Sequence, residues 1–280
     1  MSSLILAAPT GVGGTQATSE RVVLAAHDFS DAGPGTFVET GGSFITYPTG
    51  ANGYNSSPRI ARLSTASGDQ VGVIQLSREI TSENWQNGNF LGFMYAVRFS
   101  ATTISNLSVA SGGDGPQIKL HLLRSDVYQL PNVNITPTWT VHGIGTNFYG
   151  GNNLIIQNDY GNTIYSPAIG FTVTADQWVV VQTVLWEDSQ GKARTRNFYN
   201  GIVQGGERFN NYSTRIEYEG GYGGTNKVPN IVCNLRIGMA YFSHRANNFV
   251  VDIGKIAICR GNSPEAATMS IAQFNAQPNI

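Results

Sequence analysis

Charge is scarce in this chain: Asp, Glu, Lys and Arg make up 12% of its 280 residues, against ~25% in an ordinary globular protein. The formal net charge is −1, and Lys and Arg form no run. A nucleic-acid surface needs clustered cations to meet phosphates, so the sequence gives no support for that class of partner. Cysteine is scarcer still. Cys233 and Cys259 are the only 2, each inside an apolar strand pattern, and they read as buried thiols of a reduced compartment rather than as a disulfide framework. No window approaches the ~18–20 apolar residues of a membrane-spanning helix, so no membrane insertion is expected. The opening MSSLILAAPTGVGG has no basic region before its short apolar run, so no secretory signal is expected. The histidines His27, His121, His142 and His244 are scattered, without metal-ligand spacing. Phosphate-loop, dinucleotide-fold and nucleophile-elbow patterns are absent.

Glycine (33 residues), Asn, Ser and Thr fill the gap. These residues form turns and half-buried strands rather than helix surfaces. Residues 177–201 organise the rest. Residues 178–186 and 192–199 read as two antiparallel strands around a turn at Glu187–Gly191, closed by Asn200–Gly201. Trp178, Val180, Val184 and Trp186 fall on one face, and Val179, Val181 and Leu185 on the other. A strand apolar on both faces belongs in the middle of a layered β structure. Roughly a dozen strands are expected, including 89–100, 117–124, 209–218, 231–242 and 249–259, with no βαβ alternation. On residues 117–124, Ile118, Leu120 and Leu122 point one way, and Gln117, Lys119 and His121 the other. Residues 128–167 read as loop-rich. Residues 1–20 read as a small-residue arm ahead of one domain, 21–280. The helical signal lies in the tail, where Ser263 can cap and Pro264 fits a first turn.

The order of elements in the last third carries a resemblance. Gln177–Trp178–Val179–Val180–Val181 opens a strand, Phe198–Tyr199–Asn200–Gly201 closes the hairpin, and Leu235–Arg236–Ile237–Gly238 follows. A last strand contains Asp252–Ile253–Gly254–Lys255–Ile256, and a short segment ends at Ser270–Phe274. This order resembles the concanavalin A-like, laminin G-like jelly rolls. It implies an all-β jelly-roll sandwich with an N-terminal arm and a short C-terminal helix. The low charge, the arm and the Asn/Gly/Ser-rich composition resemble bacteriophage tail, fibre or decoration proteins. That implies a non-enzymatic virion component, a homo-oligomer that contacts other virion proteins and binds host surface glycan.

Lectins, hydrolases, lyases and purely structural modules share such folds, so the fold does not choose among them. Glycan cleavage needs two carboxylates across a groove, and Glu217 and Glu219 are the best local pair. The similar hydrolases use E-x-D-x-E, which is absent here, and a solvated strand face is the simpler reading. Similar lyases use Gln-x-His, whereas Gln117–Ile118–Lys119–Leu120–His121 has the wrong spacing. Tyr149, Asn152, Asn153, Asp159, Tyr160 and Tyr222 supply aromatic rings and hydrogen-bonding groups suited to sugar in two loops. Asp28, Asp114 and Asp252 are loose candidates for a loop Ca²⁺, although turn or strand-end roles account for them. A polysaccharide-degrading enzyme and a decoration module without ligand are the alternatives.

Overall fold

The computed structural model describes residues 20–31, 35, 37–40, 45–50, 53–65, 73–76, 80–107, 117–124, 140–148, 153–160, 163–165, 170–187, 189, 193–203, 208–209, 231–238 and 249–280. In chain order the described strands are β1 (Arg21–His27), β2 (Phe37–Thr40), β3 (Ile45–Thr46), β4 (Ala61–Thr65), β5 (Val73–Leu76), β6 (Ile80–Thr81), β7 (Phe90–Phe99), β8 (Gln117–Arg124), β9 (Thr140–Phe148), β10 (Asn153–Tyr160), β11 (Thr163–Tyr165), β12 (Gly170–Thr172), β13 (Trp178–Glu187), β14 (Ala193–Tyr199), β15 (Ile202–Val203), β16 (Arg208–Phe209), β17 (Ile231–Gly238) and β18 (Phe249–Gly261). The described helices are α1 (Ala101–Leu107) and α2 (Ile271–Ala276).

The strands form two antiparallel sheets. The first runs β15-β14-β13-β7-β18-β4-β3, with β1 also on β18 and β16 on β14. The second runs β11-β10-β9-β8-β17-β5-β2, with β12 on β10 and β6 on β17. Consecutive strands β7 and β8 lie in different sheets, as do β17 and β18. Yet β7 pairs with β18 and β8 with β17. This crossing from sheet to sheet makes the architecture a jelly-roll β-sandwich rather than a meander.

The central hairpin forms as its alternation dictates. Trp178 pairs with Arg98 and Val181 with Tyr95, so β13 lies between β7 and β14. Residues 179–186 are buried on both faces of the sheet. Asn200 and Gly201 take positive φ (47° and 79°), as do Asn87 and Gly88 (55° and 83°). Both Asn–Gly pairs thus supply the left-handed backbone that their turns require.

One face of the first sheet carries the fully buried Leu91, Phe93, Tyr95, Val97 and Phe99. The other face lies under the C-terminal segment. Phe274 and Met269 pack there on Met94, Ala96, Val180 and Ala257. Arg21 Nε donates to the Ala266 carbonyl (2.7 Å), and its Nη2 donates to that of Thr268. Lys255 Nζ donates to the carbonyls of Asn275 (3.0 Å) and Gln277 (2.6 Å). Tyr54 Oη donates to Asn275 Oδ1 (2.7 Å). A Cβ on Gly92 would collide with the Ala267 carbonyl, so glycine permits this close approach of tail to strand. Cys259 is a free, buried thiol that donates to the same carbonyl (3.3 Å).

Burial keeps three of these groups neutral. It pushes Tyr54 up to about 12 against a weaker opposing pull from Asn275. It pushes Cys259 up to about 11 against the Arg21 charge and a Gly92 hydrogen bond, and it raises Tyr199 as well. The folded chain therefore keeps protons that the unfolded chain loses at the ordinary values of 9.0 for Cys259 and 10.0 for the tyrosines. The stability they contribute is complete below those values and is lost as pH rises through the folded ones. Urea midpoints are expected to fall between about pH 9 and about pH 12, with each group costing ~1.4 kcal/mol per pH unit within its window. A flat midpoint over that range would contradict this.

The structure corrects three expectations. Residues 128–167 are not loop throughout, because they contain β9, β10 and β11. Gly and Asn inside those strands blur the period-two signal. The tail helix begins at Ser270, whose side chain and Gln273 form a capping box, while Ser263 Oγ only closes a turn by accepting from Ala266 N (3.1 Å). The sequence reading also missed α1, which Ser100 caps by accepting from Thr103 N (3.1 Å). Thr103 Oγ1 in turn donates to the Val250 carbonyl (2.9 Å) and accepts from its N–H (2.7 Å), fixing α1 to β18. The expected arm, residues 1–20, lies outside the described residues except for Glu20, and so does most of the expected strand 209–218.

Candidate functional site

β8 has a clean alternation, with Gln117, Lys119 and His121 at one parity and Ile118, Leu120 and Leu122 at the other. Antiparallel pairing then dictates which residues of the neighbouring strands share each face. Along one cross-strand row the register aligns Gln75 (β5), Arg236 (β17), Lys119 (β8), Gly145 (β9) and Gln157 (β10). Two positions along, the next row on the same face aligns Asn234 (β17), His121 (β8), Gly143 (β9) and Asp159 (β10). At ~4.8 Å between strands, the longer row spans ~19 Å. The opposite face of these strands takes Ile74, Leu235, Ile237, Leu120, Ile144 and Ile156, with Thr146 and Asn158 in the same rows and His142 opposite Leu122. By register it is the more apolar of the two faces.

The second sheet thus has a more apolar face and a more polar one, and the polar one collects chemistry from four separated parts of the chain. Arg236 and Lys119 are direct cross-strand neighbours, as are Asn234 and His121. Guanidinium and ammonium groups suit carboxylates, and Asn, Gln and a neutral imidazole both donate to and accept from hydroxyls.

Of the sugar-binding candidates, Asn153, Asp159 and Tyr160 lie on β10 rather than in a loop. Asp159 and Asn153 share the polar face with Gln157, and Tyr160 falls at the opposite parity. Tyr149, Asn152 and Tyr222 lie outside the described residues, as do Glu217, Glu219 and Asp114. The missed residues are Gln75, Asn234, Arg236, Gln157, Gly143 and Gly145. Only the alternation on residues 117–124 signalled this face in the sequence.

The two described calcium candidates are both engaged by protein groups. Asp28 Oδ1 accepts from Ser30 N and Asn279 Nδ2, each at 3.0 Å. Burial alone would raise its pKa, but those hydrogen bonds and the Lys255 charge outweigh it and hold the carboxyl below its ordinary value. Asp252 accepts from Arg62 Nε (2.7 Å) and Nη2 (3.0 Å) and from Arg98 Nη2 (2.8 Å) and Nε (3.1 Å). Among the described residues, no group of three or more His, Cys, Asp or Glu could hold a metal ion. A hollow lined by Thr49, Gly50, Gly53, Ser56, Ser57, Pro58 and Arg59 has one charged side chain, Arg59, whose Nη1 donates to the Tyr47 carbonyl (3.4 Å).

No family model matches the sequence, and no curated protein matches it. Solved structures do match. One is a carbohydrate esterase of the Shiga toxin-encoding bacteriophage phi24B, with 10% identity and a TM-score of 0.53 over 86% of this chain and 99% of that one. Another is an endo-β-1,4-glucuronan lyase of the fungus Trichoderma reesei, with 13% identity and a TM-score of 0.52 over 86% of this chain and 94% of that one. At such identities the likeness shows the fold alone, an all-β jelly-roll sandwich shared with carbohydrate-active proteins.

Proposed function

We propose that the chain is a non-enzymatic saccharide-binding jelly roll of a bacteriophage virion, and that it holds glycan on the polar face of its second sheet. One observation carries the reading: two adjacent cross-strand rows that gather Arg236, Lys119, Asn234, His121, Gln157 and Asp159 on one face. Saccharide recognition needs a dense set of donors and acceptors at fixed spacing. A sheet holds such groups more rigidly than loops do. The virion setting draws on the scarcity of charge, the Gly/Asn/Ser-rich composition and the small-residue segment at 1–20. In that setting the chain assembles with its own copies and with other virion proteins.

A glycan array probed with the full-length chain tests the reading. Binding to at least one saccharide class is expected, with loss of about tenfold or more in affinity for Asn234→Ala, whose amide belongs to the second row. No binding to any glycan would overturn it. Cleavage is the second reading, favoured by His121 lying two positions from Lys119 on the face that also holds Arg236. Release of new chain ends from a bound polysaccharide would move the assignment to an enzyme.

A further inference from the structure

Resting on the saccharide-binding reading, we infer that the ligand is a carboxylate-bearing saccharide chain seated over β9, with its acid group at the Lys119–Arg236 pair. The described register places Arg236, Lys119 and Asp159 on this face as its charged residues, with His121 beside them. Lys119 and Arg236 stand directly opposite each other on neighbouring strands. Like charges in that relation destabilise a sheet. This chain has only 17 Lys and Arg in 280 residues, so a cationic cross-strand pair is a poor use of few charges unless an anion answers it.

The floor between the polar strands points the same way. In both rows the β9 position is glycine, Gly145 between Lys119 and Gln157, and Gly143 between His121 and Asp159. Glycine inside a strand weakens it, and it marks places where a ligand or another backbone comes close. Here it leaves a strip without side chains, flanked on both sides by polar residues. A sugar ring fits that description, because it is flat enough to lie on backbone and carries hydroxyls on its rim.

The placement of charge across the strip fixes polarity and class. Asp159 lies on the β10 side of the strip and would repel an anion, whereas the cations lie on the β8 and β17 side. The carboxylate therefore sits over β8 and β17, and the ring extends toward β10. Two cations suit one carboxylate per site. A nucleic acid would need a longer series of phosphate contacts than this face supplies.

The test compares uronate oligosaccharides with their methyl esters, which keep the rings and remove the charge, on the full-length chain. The free acids are expected to bind at least about tenfold tighter, with an affinity that falls as salt rises. Lys119→Gln and Gly145→Thr are each expected to lower that affinity by about tenfold or more while the melting midpoint holds or rises, since one removes repulsion and the other adds a β-branched residue to a strand. Equal binding of acid and ester would overturn this inference and leave the saccharide reading standing. Binding of neither would overturn both. Variants that bind as the parent does, or that lose midpoint and binding together, would overturn the seat over β9.

Discussion

Replacing Asp252 with alanine is expected to lower the unfolding free energy by ~3–5 kcal/mol. Asp252 is 4% exposed and lies in a cross-strand row that reads Trp178, Arg98, Asp252, Arg62. Both of its oxygens accept from guanidinium groups, Oδ1 from Arg62 and Oδ2 from Arg62 and Arg98. The Arg98 side chain is 12% exposed and lies 4.6 Å from the centre of the Trp178 ring. Alanine would leave that desolvated cation without the carboxylate that neutralises it. Arg62→Ala should cost far less, ~0–1 kcal/mol, because its side chain is 39% exposed and water replaces much of the interaction. Urea unfolding of both variants checks the ranking. Equal losses would mean that burial does not decide the energetics of this cluster.

Phe274→Ala is expected to cost ~3–5 kcal/mol, the range for an aromatic removed from a packed core. Phe274 is fully buried and packs beside Tyr54, 5.9 Å between ring centres. It is the one buried side chain of α2. It belongs to a cluster that joins β1, β7, β13 and β18 to the tail. Losing it unseats the segment that Lys255 and Arg21 hold by its carbonyls. Phe274→Leu should keep most of the stability, because it preserves apolar contact at smaller volume. If both variants unfold at the midpoint of the parent, the tail is an appendage rather than a cover for the sheet.

The parts of this fold that the sequence discloses are the local ones. The faces of β13 and β7 follow from period two, and Asn87–Gly88 and Asn200–Gly201 announce their turns by residue type. α1 escaped because Thr102, Thr103 and Ile104 are β-branched and favour strand; the Ser100 cap and the Val250 contact override that preference. β9 and β10 escaped for a different reason. Gly143, Gly145, Asn147 and Asn153 read as loop formers, and it is the pairing of β9 with β8 and of β10 with β9 and β12 that makes strands of them. The candidate site was less legible still. Lys119 and His121 could be placed on one face from β8 alone, but Arg236 lies more than a hundred positions along the chain, and its row is a property of register. A pattern sought within one strand, such as Gln117 to His121, could not find a set assembled from five.

The most direct measurement is amide hydrogen exchange of the full-length chain with and without a saturating bound saccharide. The account predicts added protection in peptides from β8, β9, β10 and β17, with β13 and β14 of the other sheet unchanged. Protection confined to residues 49–59 or to the tail, with those four strands unaffected, would contradict it.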